Sequence, residues 1–102
     1  MRENRYTKGI SFEYSIKKKL ENRGYYVCRS AGSHGAFDLV AIKNGIAWGI
    51  QCKASEYVPK TELEKLKEIG RKYGIVPCIA KKIGRRHAVI CLFNGRSILE
   101  ET

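Results

Sequence analysis

Asp38, Gln51 and Lys53 are the residues of this sequence whose types and spacing best suit chemistry. Asp38 lies inside the apolar run FDLVAI, where a carboxylate is costly unless it is paired or bound to a cation. Thirteen residues later, Gln51 and Lys53 alternate with Ile50 and Cys52, so an extended strand puts both on one side. If the two strands pair antiparallel, the three side chains converge at one end of a sheet. Such a cluster suits phosphodiester hydrolysis. A carboxylate and a second oxygen ligand hold Mg2+, with Mn2+ as the alternative, which polarises a phosphoryl group and activates water. A lysine beside them stabilises developing negative charge or orients the attacking water. The competing reading is structural: Asp38 caps a turn, and Gln51 and Lys53 are ordinary exposed strand residues.

Glu13 strengthens the chemical reading. On a helical wheel it falls within the apolar stripe, between Leu20 and Ile10 and away from the lysine-rich face. A charged group there needs a partner, and a metal shared with Asp38 supplies one. Its bland alternative is an i,i+4 pair with Lys17, which contributes little. The loop Arg29-Ser30-Ala31-Gly32-Ser33-His34-Gly35 leads toward Asp38, and its small residues allow close approach of a phosphate while Arg29 adds a bidentate donor. His34 is a lone loop histidine without an assigned catalytic role. Ser30 and Ser33 are not read as nucleophiles, because no His-Asp partner set accompanies them.

These residues need elements to position them. Phe12, Ile16 and Leu20 recur at i, i+4 and i+8, predicting a helix from about Lys8 to Arg23 that Gly24 ends. Tyr25 to Ser30 reads as a strand, FDLVAI as a second, and IAWGIQCK as a third, with Asn44-Gly45 as a hairpin signal between the last two. Thr61-Glu62-Leu63-Glu64 has the form of a capping box that opens a helix reaching about Tyr73, packed on Leu63, Leu66 and Ile69 and stopped at Gly74. VPCIAKK and HAVICLF read as two further strands around a basic turn at Gly84-Arg85-Arg86. The order α-β-β-β-α-β-β predicts an α/β fold with one central mixed five-stranded sheet flanked by helices.

Length and composition set the bounds. The 102 residues are expected to form a single domain, 1–102, small enough that pairing with a second copy would help it. With 43% hydrophobic and 29% charged residues the chain is globular, not disordered. Twenty Lys and Arg against ten Asp and Glu leave a formal charge of +10, which makes a polyanion the natural partner and nucleic acid the leading one. An anionic membrane surface is the rival. Cys28, Cys52, Cys78 and Cys91 form no C-x-x-C pair and sit in apolar runs, as buried strand thiols do, so an intracellular, cytoplasmic compartment is expected. No apolar segment follows the charged N-terminus as in a secretory signal, and no apolar run is long enough to span a bilayer. A soluble protein without membrane partners is expected.

The stretch KGISFEYSIKKKLENRGYYVCRSAGSHGAFDLVA, followed by GIQCKAS and GRKYGIVPCIAKK, resembles the archaeal Holliday junction resolvases of the PD-(D/E)XK nuclease superfamily. The pattern D-L-V-A plus x-Lys belongs to the whole superfamily, whereas the R-S-A-G-S loop together with an acid in the first helix is more specific to the resolvases. The likeness implies a restriction-endonuclease-like fold and a metal-dependent endonuclease that cuts four-way DNA junctions as a homodimer, each active site cutting one strand. It implies that Glu13, Asp38 and Gln51 bind Mg2+, that Lys53 assists the attacking water, and that Arg29 contacts the backbone near the scissile phosphate. Lys8, Ser30 and Ser33 join the DNA-binding set, and Lys17, Lys18, Lys81, Lys82, Arg85 and Arg86 would cradle the junction arms. The sequence departs from the pattern in two places. Gln51 stands where the family has Glu, and an amide oxygen is a neutral, weaker ligand, although a Q-C-K form occurs in the related Mrr-type nucleases. Tyr14 stands where resolvases often carry a basic residue. The sequence also ends soon after the last strand, so reduced C-terminal dimer contacts are expected. Alternatives to a resolvase are an Mrr-like nuclease acting on other DNA and a DNA-binding member with weakened catalysis.

Overall fold

The computed structural model describes residues 5–30, 36–53 and 57–100, with the backbone alone for residues 5–10. The elements run α1 (Arg5–Glu21), β1 (Tyr26–Arg29), β2 (Leu39–Lys43), β3 (Ile46–Lys53), α2 (Lys60–Tyr73), β4 (Val76–Ile83), β5 (Arg86–Cys91) and β6 (Ser97–Glu100). The strands form one six-stranded sheet in chain order. Every neighbouring pair is antiparallel except β3 and β4, which run parallel. That single parallel pair needs a crossover, and α2 provides it.

Alternation along the strands sorts the core into two layers. Phe12, Ile16 and Leu20 of α1 are buried against Val27, Leu39, Ala41, Ile50, Cys78, Ala80, Val89 and Leu99. On the opposite face Leu66 of α2 packs with Phe37 and Ile79, flanked by Leu63, Ile69 and Ile75. The stripe expected for each helix is therefore the one it buries. At the β2–β3 connection Asn44 has φ 53° and Gly45 φ 79°. Two successive positive φ values are what a two-residue hairpin turn requires, and they suit Asn-Gly.

Several expectations need correction. The sheet has six strands, not five, because Ser97–Glu100 pairs with β5. This strand is only four residues long, with too little alternation to register in the sequence, although Asn94-Gly95 before it is the same turn dipeptide as Asn44-Gly45. The Thr61 capping box does not form. Pro59 occupies the N-cap, no side chain caps the helix, and the Pro59 carbonyl accepts from the Glu62 and Leu63 amides. Glu64 instead meets Lys67 at 3.2 Å. Cys28 is exposed rather than buried, since β1 is an edge strand that turns Val27 inward and Cys28 out. Lys19 leaves the lysine-rich face to meet His87 Nδ1 at 2.8 Å.

Gly49 sits where a side chain cannot. A Cβ on it would lie 2.5 Å from the Phe37 ring, well inside contact distance. Phe37 faces α2 while Leu39, two residues on, faces α1, so regular strand alternation breaks at Asp38 between them. Gly49→Ala is therefore expected to lift Phe37 and destabilise the fold by about 1–3 kcal/mol, the usual range for overpacking. A thermal melt matching the parent protein would show that the ring moves aside freely.

Candidate active site

The parallel β3–β4 pair brings the C-terminal ends of both strands to one end of the sheet, where Lys53 stands opposite Lys81. β2 begins at this same end, because Leu39 pairs with Ile50 in the antiparallel β2–β3 ladder. Asp38 enters just before β2. Its amide donates to the Ile50 carbonyl at 2.8 Å, and its own carbonyl accepts from the Ser30 amide at 2.8 Å. Its carboxylate oxygen Oδ2 accepts from the Cys52 amide at 2.9 Å. Asp38 is thus held on three sides by backbone, and that frame aims a partly buried carboxylate at the strand carrying Gln51 and Lys53.

Glu13 reaches in from α1. Its Oε1 lies 3.0 Å from Arg29 Nε, and both side chains are partly buried. The i,i+4 pair considered for Glu13 is not what forms: Lys17 meets Glu21 at 2.8 Å instead. The Arg29 guanidinium also lies 5.2 Å from the centre of the Tyr14 ring, within cation–π range. An aromatic at position 14 therefore supports Arg29 from the helix. Cys52 lies between Gln51 and Lys53 on β3. Its thiol is pushed up, first by burial and then by the negative charges of Asp38 and Glu13. At neutral pH it stays a protonated, unreactive thiol.

Gln51 and Lys53 share the opposite face from Cys52, as alternation requires. Gln51 lines a depression of 330 Å³ between β3 and α2, together with Ala36, Glu62, Lys65, Leu66 and Ile69. Lys53 Nζ lies 2.6 Å from Glu62 Oε1. Glu62 was read only as part of a cap, and no spacing rule ties it to Lys53 across the intervening chain. It enters the site because α2 begins at Lys60 and directs its first turn toward the end of β3.

The basic residues are not equally placed. Lys81 is beside the site in the sheet register, and Lys82, Arg85 and Arg86 extend from the same end on the exposed β4–β5 hairpin. Lys82 reaches back to lie 5.7 Å from the Phe12 ring centre on α1. Ser30 is exposed next to Asp38, while Lys17 and Lys18 belong to the later turns of α1. Ser33 and His34, and the side chains of Lys8 and Ile10, lie outside the described residues.

No cluster of three or more His, Cys, Asp or Glu side chains able to hold a metal occurs among the described residues. The candidate oxygen donors are hard ones: the Asp38 and Glu13 carboxylates and the Gln51 amide oxygen. That chemistry fits Mg2+, which keeps several waters and takes only one or two carboxylates from a protein. Among the described residues no helix is long and apolar enough to cross a membrane.

Comparison with known proteins agrees with this geometry. The profile of the archaeal Holliday junction resolvase (Hjc) family matches residues 4–101. The crossover junction endodeoxyribonuclease Hjc of Methanocaldococcus jannaschii is 40% identical over 83 residues, which cover 78% of this chain and 62% of that protein. The chain thus spans somewhat less than two thirds of that relative. The structure of Hjc from Archaeoglobus fulgidus, a Holliday junction resolvase, superposes with a TM-score of 0.68 at 26% identity, covering 83% of this chain and 73% of that one. A bacterial homing endonuclease shares the fold with a TM-score of 0.62 at 20% identity, covering 99% of this chain and 78% of its own. The fold is restriction-endonuclease-like, and the chain belongs to the archaeal Holliday junction resolvase family.

Proposed function

We propose that this chain is a metal-dependent, structure-selective DNA endonuclease that cuts four-way junctions by phosphodiester hydrolysis, with residues 1–102 forming its nuclease domain. The observation that carries this reading is the β2–β3 register, which puts the positions of Asp38, Gln51 and Lys53 at one end of the sheet, with Asp38 bonded to the Cys52 amide and the Glu13–Arg29 pair on α1 and β1. Family membership and the +10 charge support it. A junction presents converging phosphates, and each neutralised phosphate adds affinity by releasing counterions. Action on junctions places the protein inside the cell, and symmetric cleavage of two strands calls for a homodimer.

In this mechanism Asp38, Glu13 and Gln51 would hold Mg2+, with Mn2+ as a substitute. When bound, the cation supplies Lewis acidity at the scissile phosphate. Lys53 directs its ammonium at the negative charge that grows on the phosphoryl oxygens and helps orient the attacking water. Arg29, steadied by Glu13 and Tyr14, presents its guanidinium to the backbone beside the scissile bond. Ser30 lines the approach, and Ser33 and Lys8 complete the proposed DNA-contacting set. Lys81, Lys82, Arg85 and Arg86 cradle one arm, and Lys17 and Lys18 another. The neutral amide at position 51 favours a second reading, a DNA-binding member or an Mrr-like nuclease whose metal is held more weakly.

Two sets of variants test this. Asp38→Asn keeps an oxygen to accept the Cys52 amide, so it should fold like the parent. Its junction cleavage in Mg2+ should nonetheless drop at least roughly 100-fold, the upper end of the losses seen when a metal's supports are disturbed. Asp38→Ala should also lose about 1–2 kcal/mol of stability, because the Cys52 amide is left without its acceptor. A labelled four-way junction and a matched linear duplex, followed on denaturing gels, read the cleavage. Binding without nicking at any Mg2+ or Mn2+ concentration would defeat the enzyme reading. Gln51→Glu is expected to lower the Mg2+ concentration needed for half-maximal cleavage, and an unchanged midpoint would remove position 51 from the ligand set.

A further inference from the structure

The geometry points to Glu62 as the residue that positions Lys53. This rests on the proposed catalytic role of Lys53. In the sheet register Lys53 stands beside Lys81, so two ammonium groups share the ends of neighbouring strands and repel each other. Gln51, two residues back on the same face, carries no charge to offset them. Glu62 supplies it from α2. Its carboxylate meets Lys53 Nζ at 2.6 Å, and it lines the same depression as Gln51. Both partners are about one-third exposed or less, at 27% and 33%, so the pair is neither a free surface contact nor a sealed one.

Local structure holds the acid in place. Glu62 is in the first turn of α2, where the positive end of the helix dipole favours a carboxylate. An exposed ion pair contributes little to stability, so the role assigned to Glu62 is geometric. It fixes the direction of a long, flexible lysine before the phosphate arrives.

The test is single-turnover cleavage of a four-way junction by the full chain in Mg2+, with melting temperature and junction affinity in Ca2+ measured alongside. Glu62→Gln should lower the cleavage rate constant roughly 10- to 100-fold, as misplacement of a reacting group does. Melting temperature, KM and junction affinity should stay close to the parent. Glu62→Asp should recover part of the rate, and Glu62→Gln should add nothing in a Lys53→Ala background. Parental cleavage by Glu62→Gln, or a further loss in that background, overturns the proposal. If Lys53→Ala cleaves like the parent, or the parent leaves junctions uncut, the reading of the site fails and this inference with it. A crippled Lys53→Ala beside a fully active Glu62→Gln sinks the role of Glu62 alone.

A separate observation concerns the opposite layer of the sheet. We infer that Cys78 and Cys91 are an oxidative modification site that closes to a cross-strand disulfide. They are direct register partners on β4 and β5, both buried, with sulfurs 3.4 Å apart. The Leu92 amide donates to the Pro77 carbonyl at 2.8 Å, while the Cys91 amide donates away from β4, to Arg96. The two cysteines therefore occupy a non-hydrogen-bonded site, where Cα atoms approach to about 4.5 Å. That separation is within the range a disulfide spans. The Cys78 thiol donates to Cys91, which holds the Cys91 thiol below its ordinary range. With hydrogen peroxide as oxidant, Cys91 Sγ attacks one oxygen, the O–O bond breaks, and the departing hydroxide takes up the thiol proton as water. Cys78 Sγ then displaces the sulfenic oxygen, which leaves with the Cys78 proton as a second water.

Peroxide treatment of the reduced full chain, followed by denaturation, alkylation and peptide mass mapping, decides this. The expected product has lost two hydrogens, links Cys78 to Cys91, leaves Cys28 and Cys52 open to alkylation, and melts at a higher temperature than the reduced form. Cys78→Ser and Cys91→Ser should each abolish the link. Four alkylated thiols after peroxide, or a bridge through Cys28 or Cys52, overturns the inference.

Discussion

The register between β2 and β3 is the constraint on which the rest of the site depends. The Asn44-Gly45 turn sets it, and through it Leu39 faces Ile50. Side chains alternate along a strand with period two, so a slip by one residue would exchange the faces of β3. Gln51 and Lys53 would then point into the apolar layer beneath α1, and Ile50 would leave it. The burial of Ile50 and Leu39 opposes that slip, because each such buried side chain is worth about 1.5–3 kcal/mol over its exposed state. Core packing and the placing of polar groups are therefore one decision, made at the hairpin.

The location of the polar end follows from topology. Among the described strands only β3 and β4 run parallel, and the crossover between them returns α2 with its N-terminal turn near the end of β3. Antiparallel neighbours then bring Asp38 on one side and the β4–β5 hairpin on the other to this same end. Both faces of the sheet are covered by helices and their apolar layers. The ends are where polar side chains can gather without disturbing the core, and one end collects acids, an amide and several cations.

Much of this was legible in the sequence. The bounds expected for β3 are those found, because its alternation runs unbroken through eight residues and a turn dipeptide announces it. The apolar stripe of α1 and the misfit of Glu13 within it were equally plain, although the partner of Glu13 is Arg29 and not Lys17. What stayed hidden depends on contacts between distant segments. β6 is held by pairing with β5 more than by any pattern of its own. The Thr61-Glu64 spacing matched a capping box, yet the N-cap is Pro59, two residues earlier, and Glu62 in the first turn faces Lys53 instead. Lys19 turns inward because His87, sixty-eight residues away, offers it an acceptor.

The case of Glu62 bears on what a nuclease site of this kind must keep. An acid and a lysine two residues apart on one strand lie on one face, about 6.8 Å apart along it. With an amide in place of the acid, the strand carries an ammonium and no counter-charge. A carboxylate arriving from a helix restores the balance without restoring the position. It meets the lysine directly, which an acid two residues away on an extended strand reaches only through a bent side chain or a shared ion. In the proposed site the two duties of the family's strand acid are thus divided. The Gln51 oxygen would remain as a neutral ligand, and Glu62, 2.6 Å from Lys53, would take over the charge that holds the lysine in line. Such a division weakens the hold on the metal while leaving the lysine oriented, so the site would depend on the Asp38 and Glu13 carboxylates for its affinity. The backbone frame around Asp38 and the Arg29 contact at Glu13 are what fix those two carboxylates in place.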